Sequence, residues 1–137
     1  MDVRLNRAEF LTELLPMQGI VERRTTIPVL SHLLLTARGE TLHLAATDLD
    51  VTVYTQCSAA VRREGRTTIH GKVFFDLVRS LPEESLDLSC SESRVEVRSG
   101  TFNSAAFAAE TANQQAAHSM IPNAILFMAT ISKRCTD

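Results

Sequence analysis

Tryptophan is absent from this chain of 137 residues, tyrosine occurs once, and aromatic residues make up 5%. So sparse a set argues against a stacking platform for unpaired bases, the device by which many proteins hold single strands. An excess of one charge is missing too. Fourteen Lys and Arg stand against sixteen Asp and Glu, a formal net charge of −2. That argues against a strongly basic nucleic-acid binder, although a local basic face balanced by acids elsewhere remains open. Cysteines are few: Cys57, Cys90 and Cys135 are widely spaced and lack a C-x-x-C pair. Their number and spacing suggest neither a disulfide framework nor a zinc site, and point to a reducing compartment.

Long hydrophobic runs are lacking as well. The opening Met1-Asp2-Val3-Arg4-Leu5 has no apolar core of the kind a signal peptide needs. Residues 124–131 are apolar except for Thr130, and are far too short to span a bilayer. The expectation is a cytoplasmic protein without membrane contact. What is present fits one ordinary domain: 45% hydrophobic and 22% charged residues, in a chain long enough to bury a core without staples.

Patterning then predicts the elements. Residues 2–6 alternate with Val3 and Leu5 on one face and read as a strand. Asn6 can cap a helix over 7–20, with Phe10, Leu11, Leu14, Leu15 and Ile20 as its apolar stripe. Pro16 predicts a kink or an early end. Aliphatic residues over 29–37 form the next strand, and Arg38-Gly39-Glu40 turns into another over 41–47. After Asp48-Leu49-Asp50, a strand over 51–55 continues, or gains a neighbour, through 58–61.

The order then starts again. Residues 67–70 read as a strand, and 72–81 as a helix with Phe74, Phe75, Leu77, Val78 and Leu81 inward and Pro82 as its stop. Residues 85–90 and 94–98 alternate cleanly as two further strands. Two strand–helix–strand–strand units, with the helices on one face of an antiparallel sheet, describe an α+β domain with an internal pseudo-repeat.

Between the first helix and Pro28 lies Arg23-Arg24 in a Thr-rich loop. A guanidinium is a rigid fork of donors that stays charged, well matched to phosphate. Taken alone, such a pair is more often a solvated turn. Three segments in one order change that weighting: Arg23-Arg24-Thr25-Thr26-Ile27-Pro28-Val29-Leu30-Ser31, Ala46-Thr47-Asp48-Leu49-Asp50, and Lys72-Val73-Phe74-Phe75-Asp76-Leu77-Val78-Arg79-Ser80-Leu81-Pro82, closed by Arg98-Ser99-Gly100. The set resembles the first of the three domains of the bacterial replicative sliding clamp, the beta subunit of DNA polymerase III, over roughly the first hundred residues.

The resemblance implies a DNA-clamp fold and a non-catalytic processivity factor with no cofactor and no metal. Its family members form ring-shaped homodimers that encircle double-stranded DNA without reading sequence, tether DNA polymerase III and are placed by a clamp loader. Arg24 matches an arginine that contacts the DNA backbone in the family, and Arg23 precedes it. Lys72 opens the second hole-lining helix, where the family often has basic residues, although Val73 stands where a second base is common. Arg79, two turns on, either reaches the hole or pairs with Asp76 or Glu83. The resemblance places the family's pocket for partner peptides outside its first domain.

Other chemistry finds little support. Asp48 and Asp50 could hold a divalent cation, but two carboxylates between strands more often cap a turn. His32, His43, His70 and His118 share no ligand spacing. The rival reading from another class is a stand-alone interaction module with a clamp-like sheet that does not encircle DNA. After Gly100 the pattern fades: residues 101–107 keep a trace of a strand, 108–118 are rich in Ala, Gln and Asn, and 119–137 match nothing in the family. The expectation is an incomplete clamp domain over 1–107 with a divergent tail over 108–137, read first as a frame-shifted product and second as a genuine extension. On either account a sheet edge is left unpaired and ring closure by this chain becomes doubtful.

Overall fold

The computed structural model describes residues 1–21, 28–91 and 94–108. Strand β1 (Asp2–Asn6) leads directly into helix α1 (Arg7–Val21), and a short 3₁₀ turn at Pro28–Ser31 precedes strands β2 (His32–Arg38), β3 (Thr41–Thr47) and β4 (Thr52–Arg63). The second unit follows the same order: β5 (Gly65–His70), α2 (Gly71–Ser80), β6 (Ser85–Ser91), β7 (Arg94–Ser99) and β8 (Phe102–Ala108). All pairings are antiparallel, in the order β5-β2-β3-β4-β1-β6-β7-β8.

That order is two copies of one four-strand sheet set side by side. Strand β4 joins them, because its first half (Thr52 to Ser58) pairs with β3 and its second half (Ala59 to Arg63) pairs with β1. The single long strand explains why the residues over 58–61 read equally as a continuation or a neighbour. Arg62 and Arg63 also lie in β4, and the chain reverses at Glu64.

Both helices cover one sheet face. Phe10, Leu14, Met17, Ile20 and Val21 of α1 and Phe74, Phe75 and Val78 of α2 are buried there. Beneath them lie inward residues of both half-sheets, including Val3, Leu35, Leu44, Ile69, Leu88 and Val97. The stripe on α1 differs from expectation: Met17 is fully buried whereas Leu15 is 57% exposed. Leu15 follows Leu14 by one residue, a rotation of about 100° that carries it off the buried line.

Helix α1 does not end at Pro16, which sits inside it on the exposed side. The carbonyl that proline leaves without a donor belongs to Thr12, also exposed, where water can bind it. Strand β2 begins at His32 and not at residue 29, because the chain first makes the 3₁₀ turn that opens with Pro28. Residues 102–108 form a full edge strand paired with β7 from Arg94 to Ser99, so the edge of β7 is covered. Ladder pairing uses backbone N–H and C=O groups, which this segment supplies whatever side chains the family pattern would have carried. The tail expected from residue 108 lies, after that residue, outside the described residues.

Candidate nucleic-acid interface

The helix layer is where the basic residues were expected to act. The two helices run antiparallel. The start of α2 abuts the end of α1, where a Cβ on Gly71 would lie 2.7 Å from Val21 Cγ2. The end of α2 meets the start of α1, where Arg7 Nη1 donates to the Arg79 carbonyl at 3.1 Å. Arg7 is therefore turned onto the carbonyl end of α2, the favourable end for a cation, and its Nε is buried with no hydrogen-bond partner.

The acids of α1 face the sheet. Glu9 Oε1 accepts the Ser58 backbone N–H at 3.1 Å, and Glu13 accepts a hydrogen bond from the Thr55 hydroxyl. Both serve an edge of β4 that β1 does not reach, since β1 pairs with β4 only from Ala59 onward. Burial, then the charges of Glu9 and Glu13, push the Cys57 thiol between these positions up to about 12.

Lys72 and Arg79 are exposed on α2, as is Asp76. Seven residues bring Lys72 and Arg79 back to nearly the same face, about 10 Å apart along the axis. Asp76 falls between them at i+4 and i−3. Among the described residues none of the three forms an ion pair, and Arg79 pairs with neither Asp76 nor Glu83. Arg23 and Arg24 lie outside the described residues. Sequence reasoning singled out Lys72 and Arg79 and weighed Asp76 only as an ion-pair partner of Arg79, although the helical spacing of 72, 76 and 79 places it beside both cations.

The other expected groups take structural posts. Asp48 Oδ1 accepts the backbone N–H groups of Asp50 (3.1 Å) and Val51 (2.7 Å), closing the β3–β4 turn in which Leu49 has φ 80°. His32 and His70 meet across β2 and β5 with ring centroids 5.5 Å apart, a contact made by strand register and invisible in sequence spacing. His43 Nδ1 is buried without a partner, and burial, then the charge of Arg38, lower its pKa. No group of three or more His, Cys, Asp or Glu among the described residues could hold a metal ion.

Away from the helices, the sheet face carries an ion-pair network. Arg4 grips Asp87 with two bonds (3.1 and 3.0 Å), and Arg62 bridges Asp87 (2.6 Å) and Asp2 (3.1 Å). These arginines are occupied by carboxylates, whereas the cations of α2 are not.

The arrangement of two helices over paired half-sheets is matched in known proteins. The family model described as DNA polymerase III beta subunit, N-terminal domain, fits residues 1–116. The chain belongs to the DNA polymerase III beta subunit family. The beta sliding clamp of Caulobacter vibrioides is 36% identical over 103 residues, 73% of this chain and 28% of that protein. Among solved structures, Caulobacter crescentus pol III beta superposes with a TM-score of 0.72 at 34% identity, over 77% of this chain and 29% of that one. The DNA polymerase III subunit beta from Pseudomonas aeruginosa gives 0.74 at 30% identity, over 82% and 31%. The chain thus spans less than a third of the length of these beta-subunit relatives. No helix among its described residues is long and apolar enough to cross a membrane.

Proposed function

We propose that this chain serves as the N-terminal domain of a sliding clamp, a non-catalytic cytoplasmic processivity factor. In this reading the parent assembly encircles duplex DNA and tethers the replicative polymerase, with the helix layer turned toward the phosphate backbone. The observation that carries it is the membership of the beta-subunit family, joined to a helix layer whose exposed side offers Lys72 and Arg79 with no carboxylate partner among the described residues. A clamp must attract phosphate without gripping it, and two unpaired cations on one exposed stripe supply weak attraction that is blind to sequence.

Arg24 and Arg23, which follow α1 in the sequence, are assigned as contacts to the DNA backbone, with Lys72 and Arg79 as contacts along α2. The domain is taken to run through β8 to Ala108, one residue past the expected boundary at 107, with the residues after it as a separate tail. The nucleotide sequence around codon 101 tests that boundary, since a second frame encoding the rest of a clamp would identify the tail as frame-shifted.

Fluorescence anisotropy with labelled duplexes tests the DNA assignment. Arg24→Ala and Lys72→Ala should each weaken binding. The logarithmic salt slope should correspond to only a few phosphates, and duplexes of unrelated sequence should bind alike. Binding that depends on sequence, or is indifferent to both substitutions, would remove the assignment. Light scattering and retention on circular DNA separate a ring from a stand-alone interaction module.

A further inference from the structure

The geometry points to Asp76 as a built-in electrostatic brake on the DNA-facing stripe of α2. The inference rests on the reading that this face meets duplex DNA. The two helices together carry three basic and three acidic residues: Arg7, Lys72 and Arg79 against Glu9, Glu13 and Asp76. Three of the six are engaged inside the fold. Arg7 is bound to the Arg79 carbonyl, Glu9 to the Ser58 N–H and Glu13 to the Thr55 hydroxyl. Glu9 keeps its exposure while bonded; the exposed charges without such a bond are Lys72, Asp76 and Arg79, all outside any ion pair among the described residues.

Asp76 lies about 6 Å along the axis from Lys72 and about 4.5 Å from Arg79, four and three residues away. Residues three and four apart on a helix are surface neighbours, about 5–6 Å between Cβ atoms, which is within the Debye length of about 8 Å at physiological salt, so its charge subtracts from the potential of each cation. An acid locked in a salt bridge would cancel one partner. An unpaired acid between two cations lowers the attraction along the whole stripe and repels a phosphate that settles between them. A duplex is then drawn to the face without finding a fixed seat, which suits movement along DNA.

Anisotropy titrations of the full chain with a short fluorescein-labelled duplex test this. Asp76→Asn should tighten binding roughly three- to tenfold at low salt, the effect of one exposed charge at this range, and the gain should fade as salt rises. Asp76→Glu should bind like the wild type, because the charge stays on the stripe. Glu96→Gln, which removes a charge from the sheet face opposite the helices, controls for net charge and should give much less. Thermal melts of Asp76→Asn should match the wild type, since the side chain is exposed and unpaired.

Equal tightening by Asp76→Asn and Glu96→Gln, or none by Asp76→Asn, overturns the brake. If Lys72→Ala and Arg79→Ala weaken binding while Asp76→Asn leaves it unchanged, the brake alone is wrong. If neither alanine variant alters binding, the DNA-facing assignment of α2 falls, and the brake with it.

Discussion

Phe10 and Phe74 meet edge to face, with ring centroids 5.8 Å apart and an interplanar angle of 69°. Each is the fourth residue of its helix, counted from Arg7 and Gly71, and both are fully buried. The two units of the internal repeat therefore touch at equivalent positions, and an aromatic contact joins the helix pair. Truncating Phe74 to Ala should cost about 3–5 kcal/mol, the usual range for emptying an aromatic site in a core. A double-mutant cycle with Phe10→Leu and Phe74→Leu, followed by urea denaturation, should return a coupling of about 0.5–1.5 kcal/mol. Additive losses would show that the pair contributes only buried area.

At Gly71 the start of α2 lies tightly against the end of α1. A Cβ there would stand 2.7, 2.9 and 3.0 Å from the Val21 side chain, and a valine is too short and stiff to swing aside. Alanine in a helix normally gains about 0.5–1 kcal/mol over glycine. Forcing a methyl into a packed contact costs about 1–3 kcal/mol, so the clash should win. Gly71→Ala is expected to lower the denaturation midpoint, and Val21→Ala in the same chain should restore part of it. A stabilised Gly71→Ala would refute the close contact.

Acid should release the junction between the half-sheets. Partial burial acts to raise the Asp87 carboxyl, but hydrogen bonds from Arg4 and Arg62, then their charges, outweigh it and hold the group below the usual carboxylate range. A carboxyl depressed in the folded state binds fewer protons there than in the unfolded chain, so stability rises with pH. The contribution is complete above the unfolded value of about 3.9 and is lost as pH falls through the lower folded value. These are surface pairs, so the total effect should be small. Chemical denaturation of the wild type and Asp87→Asn should differ at neutral pH and converge in acid; a constant gap would exclude the linkage.

Cys57 should be inert in the folded protein. With its pKa pushed up to about 12 and its side chain buried, almost no thiolate exists at neutral pH, and the thiolate is the nucleophile. Alkylation followed peptide by peptide in mass spectrometry should show Cys57 modified only at the rate of unfolding. Prompt labelling under native conditions would contradict its burial.

Much of the architecture could be read along the chain because the information was local. Alternation gave β6 and β7, the break at Pro82 gave the end of α2, and the repetition of strand, helix and strands gave the two units. Met17, Leu15 and β8 escaped that reading for different reasons. Met17 and Leu15 depend on which helix line faces the sheet, a matter of packing. Strand β8 depends on the edge β7 offers it, since its backbone pairs there although its side-chain pattern had faded.

The candidate interface divides in the same way. Lys72, Asp76 and Arg79 share a stripe by helical period alone, so their kinship was fixed by spacing. Which charges stay free was not. Arg7, Glu9 and Glu13 carry the same formal charges in the sequence as the residues of α2, yet the fold sets each against a backbone group or hydroxyl distant in the chain. By itself the sequence determined the elements, their repetition and the family, because periodicity and motif order are properties of neighbours. Only the tertiary structure decided the pairing of Phe10 with Phe74, the closeness that demands Gly71, and the engagement of Arg7, Glu9 and Glu13 by distant groups. Those depend on distances between segments that are far apart in sequence and meet only when the apolar faces are buried together.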